Sequence, residues 1–109
     1  MLTCPDLQSV WEAVAKDKLL DPLYQSPAGP IAPLDVLYGH RASVAAGRHY
    51  MAHKCCFTYS VLSQLFLANG FMGAYGGRGV QAFDLWIVAC KRRPTEAELM
   101  ALAREHLPP

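Results

Sequence analysis

The longest uninterrupted apolar run of the chain, residues 85–90, constrains its fold more than any other feature. Successive side chains of an extended segment point to opposite faces, so an apolar run places hydrophobic groups on both. The two faces would carry Phe83, Leu85, Ile87 and Ala89 on one side and Trp86, Val88 and Cys90 on the other. β-Branched and aromatic residues favour a strand, and so short a run cannot cross a membrane. We therefore predict a central strand over residues 83–90, covered on both faces by helices.

Length and composition predict a single domain over residues 1–109 that has an apolar interface. Hydrophobic residues make up 52% of the chain and charged residues only 17%, which leaves little polar surface to cover a small monomer. We therefore expect a homo-oligomer, in the simplest case a homodimer. It would be held through an open strand edge at residues 23–26, or through the apolar helix faces at residues 7–15 and 61–66.

Charge and cysteine usage restrict the class of partner and the compartment. The formal net charge is +1 and there is no basic stripe, so nucleic acid and membrane surfaces are not expected as partners. No basic segment followed by an apolar one opens the sequence, so we expect no signal peptide and a cytoplasmic location. Cys55 and Cys56 are adjacent, and Cys4 and Cys90 lie in apolar runs. This is a poor disulfide framework, and free thiols are the simplest interpretation.

Two helices are predicted in the first half of the chain. The first would be capped by Thr3, with Pro5 in its opening turn and an apolar face at positions 7, 10, 11, 14 and 15. The second would run from Pro33 to Gly47. Gly39 within this second helix either weakens it or marks a close approach of another backbone segment.

Two further helices are predicted in the second half. One would begin at the N-cap Thr58 and stop at Asn69, with a buried face formed by Val61, Leu62, Leu65 and Phe66. The last would begin with a capping box between Thr95 and Glu98. Both starts are typical of helix N-termini because a hydroxyl or carboxylate satisfies the first free N–H groups.

Two shorter segments have strand character, residues 23–26 and residues 72–75. The glycine-rich residues 76–79 would turn the chain, so that residues 83–90 return antiparallel to residues 72–75. We therefore predict an α/β or α+β fold: a small three-stranded mixed sheet with an antiparallel C-terminal hairpin and helices on its faces.

Most motifs that could carry chemistry have simpler explanations. The glycine-rich residues 76–79 are followed by a strand and not by a helix, which disfavours a phosphate cradle. His49, His53, Cys55 and Cys56 have ligand chemistry, but a zinc site usually needs two separated pairs. A small metal or redox protein is therefore the weakest of three functional alternatives, and no metal ligand is assigned.

The strongest site candidates are Tyr38, His40, Arg41 and His53. They flank residues 26–31, where two prolines around a glycine predict an ordered turn or lid. If they bind a substrate, they should converge on one cleft bordered by residues 27–31. The alternative is a solvated helix face with satisfied histidines. Catalytic residues stay unassigned in either case.

The same segments resemble the later part of a bacterial group of class I S-adenosylmethionine-dependent methyltransferases. The likeness extends in order up to about Lys91 and is carried by CPDLQ at 4–8, SPAGPI at 26–31, YGHR at 38–41, MAHK at 51–54 and FDLW at 83–86. Cys55 and Cys56 depart from the family pattern, which has Thr-Gly there.

The resemblance implies the last strands of a Rossmann-like sheet. Its seventh strand, residues 83–90, would run antiparallel between the fifth, residues 23–26, and the sixth, residues 72–75, while residues 3–8 would follow the fourth. The family binds its cofactor through a glycine-rich loop and an acidic residue in the preceding half, so this chain is expected to hold no cofactor-binding residues.

Two functions follow as expectations. The first is a methyltransferase-like C-terminal fragment whose ancestral role is transfer of a methyl group from S-adenosylmethionine, and which is inactive alone. The alternative is a non-catalytic oligomerisation or partner-binding module derived from that fold. Its partner would be a second copy of the chain or another methyltransferase subunit.

Overall fold

The computed structural model describes residues 1–79 and 83–108 of the chain. Its helices are α1 (Leu7–Ala15), α2 (Pro33–Tyr38), α3 (Arg41–Ala45), α4 (Tyr59–Ala68) and α5 (Glu96–His106), with a short 3-10 helix at His49–Met51. Its strands are β1 (Leu2–Pro5), β2 (Tyr24–Ser26), β3 (Gly29–Ile31), β4 (Gly73–Arg78) and β5 (Asp84–Cys90). No helix among these residues combines the length and the apolar character that a membrane crossing requires.

The main sheet has the order β1-β5-β4, and β5 is its middle strand. Leu85 and Ile87 of β5 are fully buried, and Val88, which points to the other face, is only 3% exposed. The prediction of a central strand covered on both faces is therefore confirmed. So is the α+β class, with a three-stranded sheet, a C-terminal hairpin and helices on its faces. Both strand pairs are antiparallel, however, so the sheet is not mixed.

The third strand of this sheet is β1, not residues 23–26 as predicted. Leu2 lies opposite Ile87, and Pro5 lies opposite Asp84. Thr3 is therefore part of a strand and does not cap a helix. The cap of α1 is Asp6, whose Oδ1 accepts a hydrogen bond from the N–H of Gln8 at 3.1 Å.

Residues 24–26 pair instead with residues 29–31, which belong to the segment predicted to be a lid. β2 and β3 form a separate antiparallel pair, so the edge predicted to be open on this segment is covered on one side. The turn between them is closed by Ser26, whose Oγ donates to the carbonyl of Gly29 at 2.9 Å and accepts from the N–H of Ala28 at 3.1 Å. Local turn chemistry thus outweighs pairing with the distant main sheet.

The predicted helix over residues 33–47 is interrupted at Gly39. Gly39 has φ 98° and ψ 159°, and a Cβ atom there would collide with the carbonyl oxygen of Met51. The close backbone approach considered for Gly39 is therefore present. It divides the segment into α2 and α3, which we call the elbow.

The two C-terminal helices begin as predicted. Thr58 caps α4, and Thr95 and Glu98 form the capping box of α5. The predicted buried face of α4 is only half correct. Leu62 is 5% exposed and Phe66 is partly buried, whereas Val61 and Leu65 are 48% and 44% exposed.

The hairpin of β4 and β5 is confirmed, but residues 76–78, which were predicted to turn the chain, belong to β4. Gly76, Gly77 and Arg78 continue β4 and pair with β5. Residues 80–82 lie outside the described part of the chain.

Candidate functional site

A cavity of about 370 Å³ lies between the edge strand β1, the start of β5 and the elbow of α2 and α3. It is within the size range of small-molecule sites. Its lining combines polar and apolar side chains from distant parts of the sequence: Thr3, Cys4, Pro5, Tyr24, Ile31, Asp35, Val36, His40, Met51, His53, Phe83 and Asp84.

His53 presents a hydrogen-bond acceptor at this cavity. Its Nδ1 lies 2.9 Å from the carbonyl oxygen of Val36. A carbonyl oxygen only accepts, so Nδ1 carries a proton, and Nε2 is an acceptor whenever the ring is neutral. The backbone N–H of His53 also donates to the carbonyl of Tyr38 at 3.1 Å, which fixes the segment against the end of α2.

His40 is the second imidazole of the lining. Its Nδ1 lies 2.7 Å from the hydroxyl of Ser43, a buried residue in the first turn of α3. The Ser43 hydroxyl can donate or accept, so this contact orients the ring without fixing its tautomer. His40 therefore provides either a donor or an acceptor at Nε2.

Asp35 stabilises the elbow through hydrogen bonds to both of its helices. Arg41 donates to its carboxylate from Nε at 2.8 Å and from Nη2 at 3.2 Å. The backbone N–H groups of Ala32 and Arg41 donate to it as well, at 3.0 and 3.1 Å. The Arg41 hydrogen bonds, reinforced by these amides, lower the pKa of Asp35 from 3.8 to about 2. Asp35 is therefore ionised and fully engaged at neutral pH.

The four predicted site residues are only partly brought together. His40 and His53 line the cavity, and Arg41 takes part through Asp35 rather than directly. Tyr38 is 65% exposed and does not belong to the lining, because the last turn of α2 directs Val36 inward instead. Of the predicted border, Ile31 reaches the cavity.

Apart from His40, His53 and Ile31, the lining residues were not identified as site residues from sequence; Thr3, Tyr24, Phe83 and Asp84 are among them. The rings of Tyr24 and Phe83 are stacked with centroids 5.9 Å apart. Asp84 Oδ2 accepts a long hydrogen bond from Thr3 Oγ1 at 3.5 Å, and Oδ1 is buried without a partner among the described residues. The one available signal was a carboxylate immediately before the longest apolar strand.

The cavity has an acidic character. Burial first, then the carboxylates of Asp84 and Asp35, raise the pKa of the Tyr24 hydroxyl. Burial first, then Cys56, Asp6 and Asp84, raise the pKa of the Cys4 thiol. Both groups therefore stay protonated at neutral pH, and Cys4 is not an activated nucleophile.

The candidate metal ligands point in different directions. The Sγ of Cys56 donates to the carbonyl of Leu37 at 3.0 Å, His53 is bonded to Val36, and His49 and Cys55 are exposed. Within residues 1–79 and 83–108, no three histidine, cysteine or acidic side chains converge as metal ligands would. All four cysteines are free thiols in this structure.

Comparisons with protein-family models, with curated proteins and with solved structures find no match to this chain.

The cofactor implied by the methyltransferase resemblance does not fit the described residues. S-adenosylmethionine sites of this class need a glycine-rich turn between a strand and a helix, where free N–H groups face the ligand. The junction of β1 and α1 contains Pro5 and Asp6, and the Asp6 side chain itself occupies the helix N-terminus. Glycines 76 and 77 lie within a strand, so they do not provide such a turn.

Proposed function

We propose that this chain is a methyltransferase-like C-terminal module that contributes the acceptor side of a binding site and does not catalyse methyl transfer alone. The observation that carries the proposal is the order of the main sheet. In class I methyltransferases, the last strand runs antiparallel between two strands that are parallel to each other. The order β1-β5-β4, with both pairs antiparallel, has this arrangement.

The observed strand order changes which strands of this chain correspond to the fifth, sixth and seventh strands of a methyltransferase sheet. On this proposal β1 takes the fifth position, β4 the sixth and β5 the seventh, and α1 and α4 lie in the connection between β1 and β4. The pair β2–β3 then belongs to a lid inserted in that connection. β1 takes the place that was expected for residues 23–26, because β1 is the strand that pairs with β5.

The cavity supports a binding role on the acceptor side. It is lined by residues of β1, of the β2–β3 pair and of the elbow, so it combines a rigid sheet with an insertion. A hydroxyl or amine of a bound molecule can donate to Nε2 of His53, whose opposite nitrogen is fixed by Val36. His53 can therefore bind a hydroxyl or amine of an acceptor molecule, whereas the described residues form no site for the methyl donor.

Calorimetric titration of S-adenosylmethionine and S-adenosylhomocysteine onto the purified chain tests this function. We expect no saturable binding below about 1 mM, because no described residue recognises adenosine or its ribose. A dissociation constant in the micromolar range would show that the chain holds the donor and would contradict the proposal. Circular dichroism of the same sample verifies that the chain is folded.

A second candidate function, homo-oligomerisation, is favoured by the exposed area. The chain exposes 7345 Å², whereas a folded monomer of its mass exposes about 6,000 Å². A standard interface removes about 800 Å² from each partner. A two-fold contact between copies would therefore bring the exposed area close to the ordinary value for this mass.

Helix α4 offers the surface for that contact. Val61, Leu65 and Ala68 recur at helical spacing on its exposed side, and we call them the α4 stripe. No residue of Tyr59–Ala68 is charged, so two copies can meet through this face without burying a charge. A second copy is thus a suitable occupant, and light scattering of the purified chain measures the assembly directly.

A further inference from the structure

We propose that the cavity selects a small organic cation, an amine attached to an apolar or aromatic body, over neutral and anionic molecules of the same shape. The inference rests on the proposed function, because it names the class of molecule that the acceptor-side cavity would take. It depends on the charge, the aromatic pair and the acceptor atoms of the lining.

The first support is the balance of charge. The lining contains two carboxylates, Asp35 and Asp84, and no lysine or arginine. Arg41 neutralises Asp35 through a bidentate pair. Among the described residues, the only hydrogen-bond partner of the Asp84 carboxylate is the hydroxyl of Thr3, at 3.5 Å. Asp84 therefore leaves one uncompensated negative charge beside the cavity, which favours a cation.

The second support is the effect of Asp84 on its neighbours. Its carboxylate is one of the causes that raise the pKa of Tyr24, and it acts in the same direction on Cys4. The two groups lie on different elements, β2 and β1, and both face the cavity. The electrostatic effect of Asp84 therefore reaches two different elements of the lining.

The third support is the chemistry of the remaining lining. The stacked rings of Tyr24 and Phe83 belong to the lining, and an ammonium group near an aromatic face gains cation–π attraction. Ile31, Val36 and Met51 provide apolar surface for the body of the ligand. The lone pair of His53 adds an acceptor that an N–H group of the ligand can donate to.

Three probes of similar shape test the selection: benzylamine, benzyl alcohol and benzoate. Each is titrated into the full chain at neutral pH, and the NMR signals of the His40 and His53 rings report binding. We expect benzylamine to bind about tenfold more tightly than benzyl alcohol, a ratio that corresponds to 1.4 kcal/mol, and benzoate to bind least. Equal affinities, or a preference for benzoate, would overturn the inference and leave a cavity that binds molecules without selecting cations.

Substitution of Asp84 locates the selection. Asp84→Asn should weaken benzylamine about tenfold and leave benzyl alcohol unchanged, whereas the matched control Asp21→Asn, at an exposed position outside the lining, should change neither. An unchanged benzylamine affinity in Asp84→Asn would overturn the assignment. If none of the three probes perturbs the histidine signals of the unsubstituted chain, both the cation inference and the acceptor-side role fail. Because the three probes are ranked on the unsubstituted chain, that measurement tests the inference even if Asp84→Asn does not fold.

Discussion

At the scale of single residues, Asp35 controls how the elbow is built. Its carboxylate accepts four hydrogen bonds, from the backbone of Ala32 and from the backbone and the guanidinium of Arg41. The carboxylate is 5% exposed, whereas the Arg41 side chain is 48% exposed. The position of α3 against α2 therefore depends on the buried Asp35 carboxylate and its ion pair with the partly exposed Arg41.

Asp35→Asn is expected to lower the free energy of unfolding in a pH-dependent way. The pKa of Asp35 falls from 3.8 to about 2 on folding, so its contribution is complete above about pH 4 and is lost as the pH falls through 2. The difference between the two proteins should be about 2 kcal/mol at pH 7 and under about 0.5 kcal/mol at pH 2. Urea unfolding at both pH values measures it. Asp21→Asn, at an exposed site, is the control, and a difference that does not depend on pH would contradict the assignment.

Gly39 carries the second prediction at this scale. Its φ of 98° and ψ of 159° are nearly restricted to glycine, and an added Cβ would collide with the Met51 carbonyl. Gly39→Ala should therefore destabilise the chain by about 3 kcal/mol or more. Gly47 also has a positive φ, 89°, but open space around it, so Gly47→Ala should cost only about 1 kcal/mol. Thermal unfolding compares the two, and equal losses would show that the close approach is absent.

At the scale of elements, an ion pair joins α1 to β4. Arg78 donates from Nε to Asp6 Oδ2 at 2.6 Å and from Nη2 to Ser9 Oγ at 3.1 Å. Asp6 is fully buried, and its carboxylate also caps α1 and accepts from the Ser9 hydroxyl. The pair therefore connects the helix start to the hairpin across most of the sequence.

Arg78→Met should cost about 3 kcal/mol of unfolding free energy, because it leaves the buried Asp6 carboxylate without its cation. Arg92→Met is the matched control. The Arg92–Glu98 pair is solvated, with side chains 75% and 42% exposed, so its loss should leave stability almost unchanged. Urea unfolding of both variants makes the comparison. Similar losses in the two would show that Asp6 does not depend on Arg78.

Elements with local signals could be predicted from the sequence. The caps at Thr58 and Thr95 act within one turn of their helices, and the apolar run of β5 indicates burial without reference to any partner. The hairpin was predictable because β4 and β5 are neighbours in the chain. These features needed only residues that lie close together in sequence.

Elements that depend on distant contacts could not be predicted. β1 is four residues long, ends in a proline, and becomes a strand only because β5 pairs with it from the far end of the chain. The break at Gly39 requires the carbonyl of Met51, and the cavity requires Asp84 to lie beside Thr3. No periodicity in the sequence reports these pairings, which is why most of the lining was missed.

At the scale of the whole molecule, the chain is elongated and has two small cores. It measures 43 × 26 × 26 Å, with a radius of gyration of 15.5 Å, against about 13 Å for a compact domain of this length. One core forms around Val10, Ile31 and Val36, and the other around Leu62, Leu85 and Ile87. A body of this shape leaves apolar helix surface uncovered, which is the physical reason to expect a second copy on α4.

Leu65→Glu tests that expectation, since it places a charge in the middle of the α4 stripe. The unsubstituted chain should scatter light as a particle of twice its 12.0 kDa mass, and Leu65→Glu should scatter as a monomer, because a two-fold contact would bury two like charges. Leu20→Glu is the control: Leu20 is 62% exposed and lies outside α4, so this variant should stay dimeric. A monomeric unsubstituted chain would exclude self-association. If Leu65→Glu stays dimeric, the contact lies elsewhere on the chain. The edge strand β1 is then the next surface to substitute, since the outer backbone groups of an edge strand can pair with a further strand.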